Sequence, residues 1–296
     1  MRRPSTVEVM LLTTIGLWAL NLTVSRYILT HGFQPLAYAA TRYGLAVLVF
    51  VALGLAIERS LRIRRRDLGL VAGAAALVYL NQIAFVYALQ TTSASVVGLV
   101  LGATPIFAAL AGLALGSEIL HTRFWTGALL SFGGVALVAL GSGGAVSGDL
   151  GGVLLGVLTA ATWAGYSILV TPLMTRYSAT RISALVLGLA WVPIATTALP
   201  QLSDQDWSLG WEVWALFLFA TLGPLVVTNE LWFRSLDRIG PARATLAANL
   251  QPFLASAFAV VLLGETLGPF ELLGGVLIAA GILVARRRGV HAAPGE

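Results

Sequence analysis

Along the chain, apolar stretches of about 20 residues alternate with short polar breaks, and a helix of that length crosses a hydrocarbon layer of roughly 30 Å. The pattern predicts spans near residues 7–29, 34–57, 68–90, 93–115, 123–142, 150–175, 182–200, 211–233, 241–263 and 267–285. Stretches such as 96–101 and 276–284 are apolar on every face. That suits helices in lipid and not the alternation of a membrane β-barrel. The first stretch continues through Asn21 to Ile28 without a small-residue cleavage pattern, so it is expected to stay as a span rather than act as a cleaved signal.

Composition agrees. With 58% hydrophobic and 10% charged residues and a mean hydropathy of +0.88, the chain is too apolar for a soluble domain, and its solvent is membrane lipid. A net charge of +5 would suggest nucleic acid in a soluble protein, but the placement of the charge points elsewhere. The arginines gather in alternate connections, around Arg2 and Arg3, Arg59 to Arg66, Arg123, Arg176 and Arg181, Arg234 to Arg243 and Arg286 to Arg288. The intervening connections lack them, and one carries Asp204 and Asp206. The positive-inside bias then puts both termini in the cytoplasm, which requires an even number of spans. Trp207, Trp211 and Trp214 fall at the expected outer boundary and Trp125 and Trp232 near the inner one, as an aromatic belt would.

The chain is doubled. Pro105 and Pro252, Glu118 and Glu265, Gly127 and Gly274, and Gly134 and Gly281 are each offset by the same step, 252 − 105 = 147. With an odd number of spans per half, the second copy inserts upside down, an arrangement common in secondary transporters. The expected fold is all-α and integral to the membrane: ten transmembrane helices in two inverted five-helix repeats around a central cavity. The halves are residues 1–142 and 150–288, with an inter-repeat loop at 143–149 and a cytoplasmic tail at 289–296.

Near the same offset, Gly16 to Asn21 (Gly-Leu-Trp-Ala-Leu-Asn) matches Ala161 to Tyr166 (Ala-Thr-Trp-Ala-Gly-Tyr), anchored on Trp18 and Trp163. This Trp-Ala-x-Asn element, the Pro thirteen residues before Ser-Glu or Gly-Glu in each half, and the Gly-rich fifth and tenth spans resemble the EamA branch of the drug/metabolite transporter superfamily. The resemblance covers nearly the whole chain. It implies a central cavity lined by spans one to four and six to nine and export of small metabolites across the bacterial inner membrane. General similarity is greatest to bacterial exporters of aromatic amino acids. Another small organic solute, such as a drug or nucleoside, moved in either direction, is the alternative substrate; a channel-like pore is the alternative of a different class.

Polar side chains at mid-depth are costly in hydrocarbon, so they nominate the pathway. Thr14, Trp18, Asn21 and Ser25 share one face of the first span, and Thr159, Trp163, Tyr166 and Ser167 repeat it in the sixth. Tyr79 and Gln82 share a face of the third, with Asn81 turned away, and Thr245, Asn249 and Pro252 line up in the ninth. The expected substrate site is therefore an aromatic wall of Trp18, Tyr79, Trp163 and Tyr166 with Asn21, Gln82 and Asn249 as hydrogen-bonding groups. Interhelical packing is the competing role for each. Arg42 lies about 12 Å below the outer end of the second span, where it either attracts a substrate carboxylate or binds helix carbonyls. Pro105, Pro224 and Pro252 are expected to kink their helices.

Several chemistries lack their residues. There is no Gly-rich phosphate loop for ATP, no cysteine, and His31, His121 and His291 are scattered, so no cofactor or metal is expected. No paired acid, base or nucleophile suggests an enzyme. Glu230 is expected to pair with Arg234, which leaves no mid-depth carboxylate for proton coupling. The partners implied are a small-molecule substrate, an amino acid or related metabolite, and membrane lipid, with no nucleic acid. The chain does not specify an oligomeric state, and a monomer is compatible with it.

Overall fold

Every regular element among the described residues is helical, the arrangement lipid favours because each backbone N–H and C=O finds its partner within its own segment. The computed structural model describes residues 6–91, 100–116, 120–141, 150–263 and 268–286. In chain order these include α1 (Thr6–Thr30), α2 (Pro35–Glu58), α3 (Leu68–Thr91), α4 (Thr104–Ala114) and α5 (Thr122–Gly141). They continue with α6 (Leu150–Met174), α7 (Ala179–Asp204), α8 (Trp211–Ile239), α9 (Pro241–Ala248), α10 (Gln251–Leu263) and α11 (Pro269–Arg286). Among the described residues, six helices are long and apolar enough to cross a membrane. Leu48, Ile57, Leu129, Leu150 and Val276 are exposed on the outside, where water would demand charge and lipid does not. Glu118, Glu265, the 143–149 loop and the 289–296 tail lie outside the described residues.

Local chemistry sets where helices start. Pro35, Pro105 and Pro241 stand in the first turns of α2, α4 and α9, where a missing N–H costs nothing. Ser178 caps α7 by accepting the Arg181 backbone N–H at 3.1 Å. Gly240, at φ 78°, makes the turn from α8 into α9, a conformation that strains any residue with a Cβ.

Three of the expected spans are interrupted inside. The ninth breaks at Asn249 and Leu250 between α9 and α10, with Pro252 in the first turn of α10. Gly102 and Ala103 likewise form a turn before α4 and Pro105. In α8, residues Leu222–Val227 form a π-helical turn around Pro224. Pro224 has no N–H to give to the carbonyl of Ala220 four residues back, so the regular ladder cannot continue there.

Helix pairs build the bundle. α2 packs along α7, α3 along α6, and α5 along α11, while α1 packs against α8 and α10 and α4 against α6 and α9. α5 and α11 run antiparallel with glycines in contact: a Cβ on Gly134 would stand 2.6 Å from the Gly274 carbonyl, and one on Gly274 2.6 Å from that of Gly134. Gly127 and Gly281 face each other in the same way two turns along. Only missing side chains let the backbones come this close.

Two helices outrun their apolar stretches. α7 extends to Asp204 because Gln201 and Gln205 have work beyond the apolar stretch: their amide oxygens each accept a free N–H at the start of α2, from Leu36 and Gln34, at 2.7 Å. α8 continues through polar positions to Ile239, with Glu230 and Arg234 paired at 2.7 Å. That extension corrects the expectation for Trp232. It lies two turns inside the helix end and is 0% exposed, a core residue and not a boundary anchor.

Candidate functional site

Three tryptophans meet where α1, α6 and α8 converge. Trp18 touches Trp163 edge-on at 5.6 Å between ring centroids and Trp232 at 5.0 Å, and Trp163 lies 6.1 Å from Trp232. Trp18 and Trp163 are half-buried, and Trp232 is sealed behind them. Each such pair contributes about 0.5 to 1.5 kcal/mol beyond area burial, so the cluster is a firm junction. Tyr166 continues it inward, 5.4 Å from Trp163 and 6.1 Å from Phe233, at 1% exposure. Of the four residues expected to form an aromatic wall, Trp18, Trp163 and Tyr166 are therefore brought together, Tyr166 on the packed side.

The interrupted helix α8 is read by side chains from two neighbours. Trp18 Nε1 donates to the Pro224 carbonyl at 3.1 Å and to Thr228 Oγ1 at 3.0 Å. Arg42 donates from Nε and Nη2 to the Ala220 carbonyl, at 3.2 and 2.9 Å, and that is the carbonyl Pro224 leaves without its usual partner. The guanidinium also lies 5.7 Å from the Tyr38 ring centroid. Among the described residues no carboxylate pairs with it. An unneutralised cation at this depth attracts anions.

Polar atoms without partners flank the cluster. Asn21, almost one turn beyond Trp18, buries an amide oxygen that meets no hydrogen-bond donor among the described residues, and so does the Trp232 indole N–H lack an acceptor. Leaving such a group unmade costs about 1 to 3 kcal/mol.

The remaining expected residues sit apart. Tyr79 Oη bonds Thr197 Oγ1 at 3.1 Å, and its ring lines an apolar groove of about 330 Å³ between α3 and α7. Gln82 donates to Asn81 Oδ1 at 3.1 Å, and Asn81, facing α6, donates to the Thr159 carbonyl at 2.9 Å. Asn249 Nδ2 donates to the Gly102 carbonyl and to Ser131 Oγ, both at 3.1 Å, pinning one interrupted span to the other. Thr228, the acceptor of the Trp18 indole, had no place among the expected site residues, and Trp232 stood among the boundary residues. For Thr228 the signal was there: the step that joins Pro105 to Pro252 joins Asn81 to Thr228.

Connections close the bundle at each end. At the arginine-rich end Arg176 binds Asp67 at 2.8 Å, Tyr177 Oη donates to Asp67 at 2.7 Å, Arg181 binds Glu58 at 2.5 Å and Ser178 Oγ donates to Glu58. At the other end Phe33 stacks on Phe217 at 5.7 Å and meets Trp207 and Trp214 edge-on at 5.9 and 5.8 Å.

Comparison with known proteins adds the lineage. The model of the EamA-like transporter family matches residues 6–140 and again 150–287. A Streptantibioticus cattleyicolor protein named a probable terminal-alkyne amino-acid exporter is 26% identical over 301 residues, covering 92% of this chain and 94% of its own. A Salmonella typhimurium protein named a probable amino-acid metabolite efflux pump is 25% identical over 283 residues, 92% of each chain. An uncharacterized transporter of Bacillus subtilis is 28% identical over 254 residues, 84% of this chain and 83% of its own. A solved crystal structure superposes with a TM-score of 0.79 over 95% of this chain and 96% of its own, at 20% identity, a likeness of fold alone.

Proposed function

Because the chain belongs to the EamA-like transporter family, we propose that this multi-pass membrane protein is a secondary carrier exporting small metabolites, neutral and aromatic amino acids among them, across the inner membrane. The architecture that goes with this reading has ten spans in two inverted halves, residues 1–142 and 150–288, rocking about a central cavity. Its support is geometric. Asn249 bonds Gly102, its own counterpart at the offset of 147, a contact that suits residues lying beside an axis relating two halves. The reciprocal contacts of Gly127 with Gly281 and Gly134 with Gly274 on antiparallel helices fit the same axis. The arginine pattern favours cytoplasmic termini.

The observation that carries the substrate class is the half-buried pair Trp18 and Trp163, backed by Trp232, with the unpartnered Asn21 Oδ1 about one turn along α1. An amino acid suits these groups. Its ammonium is drawn to indole faces and to an amide oxygen, its planar side chain stacks on Trp163, and its carboxylate is a stronger acceptor for Arg42 than the Ala220 carbonyl is. Drawing Arg42 from that carbonyl loosens the π-turn of α8, which ties binding to movement of a helix. The names of two relatives, exporters or efflux pumps of amino acids or their metabolites, favour the same class.

Counterflow of labelled amino acids in proteoliposomes tests it. Trp163→Ala should reduce uptake about tenfold or more, the loss of roughly 1.4 kcal/mol of ring contact or more, at unchanged expression. Normal counterflow in that variant would remove Trp163 from the site. Unsaturable flux with ionic current in planar bilayers would point to a pore instead.

A further inference from the structure

The groove between α3 and α7 has no place in the carrier reading. Its α3 wall is small, with Ala72, Ala75 and Ala76 a turn or less apart, and its α7 wall is Leu189, Val192 and Pro193. Leu189 and Val192 are exposed, Val192 at 56%, so the groove opens on the outside of the bundle, where lipid lies. Among the described lining residues only Tyr79 has a polar side chain, and its hydroxyl is bonded to Thr197. Nothing there recognises a hydrogen-bonding solute; an acyl chain is the matching shape and chemistry.

The foot of the same wall is cationic. Following the stripe from Ala76 through Ala72 toward the start of α3 reaches exposed Leu68 and then the single turn Arg65–Asp67. From Ala72 to Leu68 is about 6 Å along the helix. Arg62, Arg64, Arg65 and Arg66 are all exposed. The acids of this segment, Glu58 and Asp67, are already neutralised by Arg181 and Arg176, so the loop keeps a surplus of positive charge at the membrane surface. Guanidinium groups pair with phosphate oxygens two bonds at a time, and clusters of this kind beside a span attract anionic lipid.

We propose that this groove holds one acyl chain of an anionic phospholipid whose phosphate is bound by the arginines of the α2–α3 connection. The site joins the two features: charge selects the headgroup, and the apolar groove fixes the lipid at one place rather than letting it exchange along the whole surface.

Native mass spectrometry of the detergent-purified protein, with phosphatidylglycerol or phosphatidylcholine of identical chains, tests the proposal. The protein should retain one phosphatidylglycerol in preference to phosphatidylcholine. Retention should fall about tenfold or more in the combined Arg62→Gln, Arg64→Gln, Arg65→Gln, Arg66→Gln variant. It should fall by about tenfold in Ala72→Leu with Ala76→Leu, which fills the groove. Val192→Trp covers the groove from α7 at an exposed position and should act in the same way without disturbing α3. Millimolar inorganic phosphate should not displace the lipid. Equal retention of the two lipids, or undiminished retention in the arginine variant, overturns the site. So does undiminished retention in Val192→Trp, which would leave only a diffuse charged surface, and so does displacement by phosphate, which would make the groove irrelevant.

Discussion

At one end of the bundle the α2–α3 connection meets the α6–α7 connection through charge, while at the other the α1–α2 connection meets the α7–α8 connection through rings and amides. Both ends hold α2 against α7. At the charged end Asp67, 2% exposed, accepts from both Arg176 and Tyr177, so a single acid joins two groups of the facing loop. At the aromatic end Phe33, 1% exposed, sits among Phe217, Trp207, Trp214 and Tyr38, and Gln205 bridges Gln34 N and the Gly32 carbonyl. The difference is one of range and dependence. Ionic contacts weaken with salt and vanish with either charge, whereas packed rings hold by area and shape and ignore both.

The comparison can be broken first at Phe33. Phe33→Ala should destabilise the protein by about 3 kcal/mol, in the range for a buried ring, read from equilibrium unfolding in mixed micelles. A loss below about 1 kcal/mol would mean the rings are not what holds that end. Asp67→Ala should cost about 2 kcal/mol, short of the 3 to 5 of a fully buried pair, because Arg176 is 28% exposed and can reach water.

A finer contrast comes from double-mutant cycles. Glu58→Gln with Arg181→Gln should reveal a coupling of about 1 kcal/mol that shrinks in 1 M salt. Phe33→Leu with Trp214→Leu should give a coupling that salt leaves alone; equal salt sensitivity would erase the distinction between the ends. The smallest effect belongs to Asp206, in the loop at the aromatic end. The Ser208 hydroxyl and backbone N–H, at 2.6 and 2.9 Å, hold its carboxyl below the ordinary value of 3.8. A carboxyl lowered on folding adds stability above its unfolded pKa, and that contribution disappears as pH falls through the lowered one. Carbon NMR should place its midpoint below 3.8, and Ser208→Ala should move it upward.

Much of this was legible from hydropathy and proline alone. The stretches at 7–29, 34–57 and 68–90 became Thr6–Thr30, Pro35–Glu58 and Leu68–Thr91, because in lipid an apolar run of that length has few other ways to satisfy its backbone. Pro224 announced an interruption in α8. The partners of individual polar groups were less legible. Asn249 and Asn21 both read as polar residues at mid-depth, yet one pins Gly102 and Ser131 while the other keeps an unpartnered oxygen. Helical periodicity gives the face a residue occupies, not the neighbour across from it. Arg42 illustrates the same gap: its depth was evident, but its acceptor, the Ala220 carbonyl, lies 178 positions away.

What the linear chain decided by itself was its solvent, its helices and its doubling, since hydrophobic length, proline chemistry and a constant offset are properties of local sequence. Tertiary structure alone decided which tryptophans meet, drawing Trp232 from the expected boundary into contact with Trp18 and Trp163. It also chose which carbonyl Arg42 reads and which loops carry ion pairs. Those contacts join helices far apart in sequence, and their energies depend on distance and burial, which exist only once the bundle has packed.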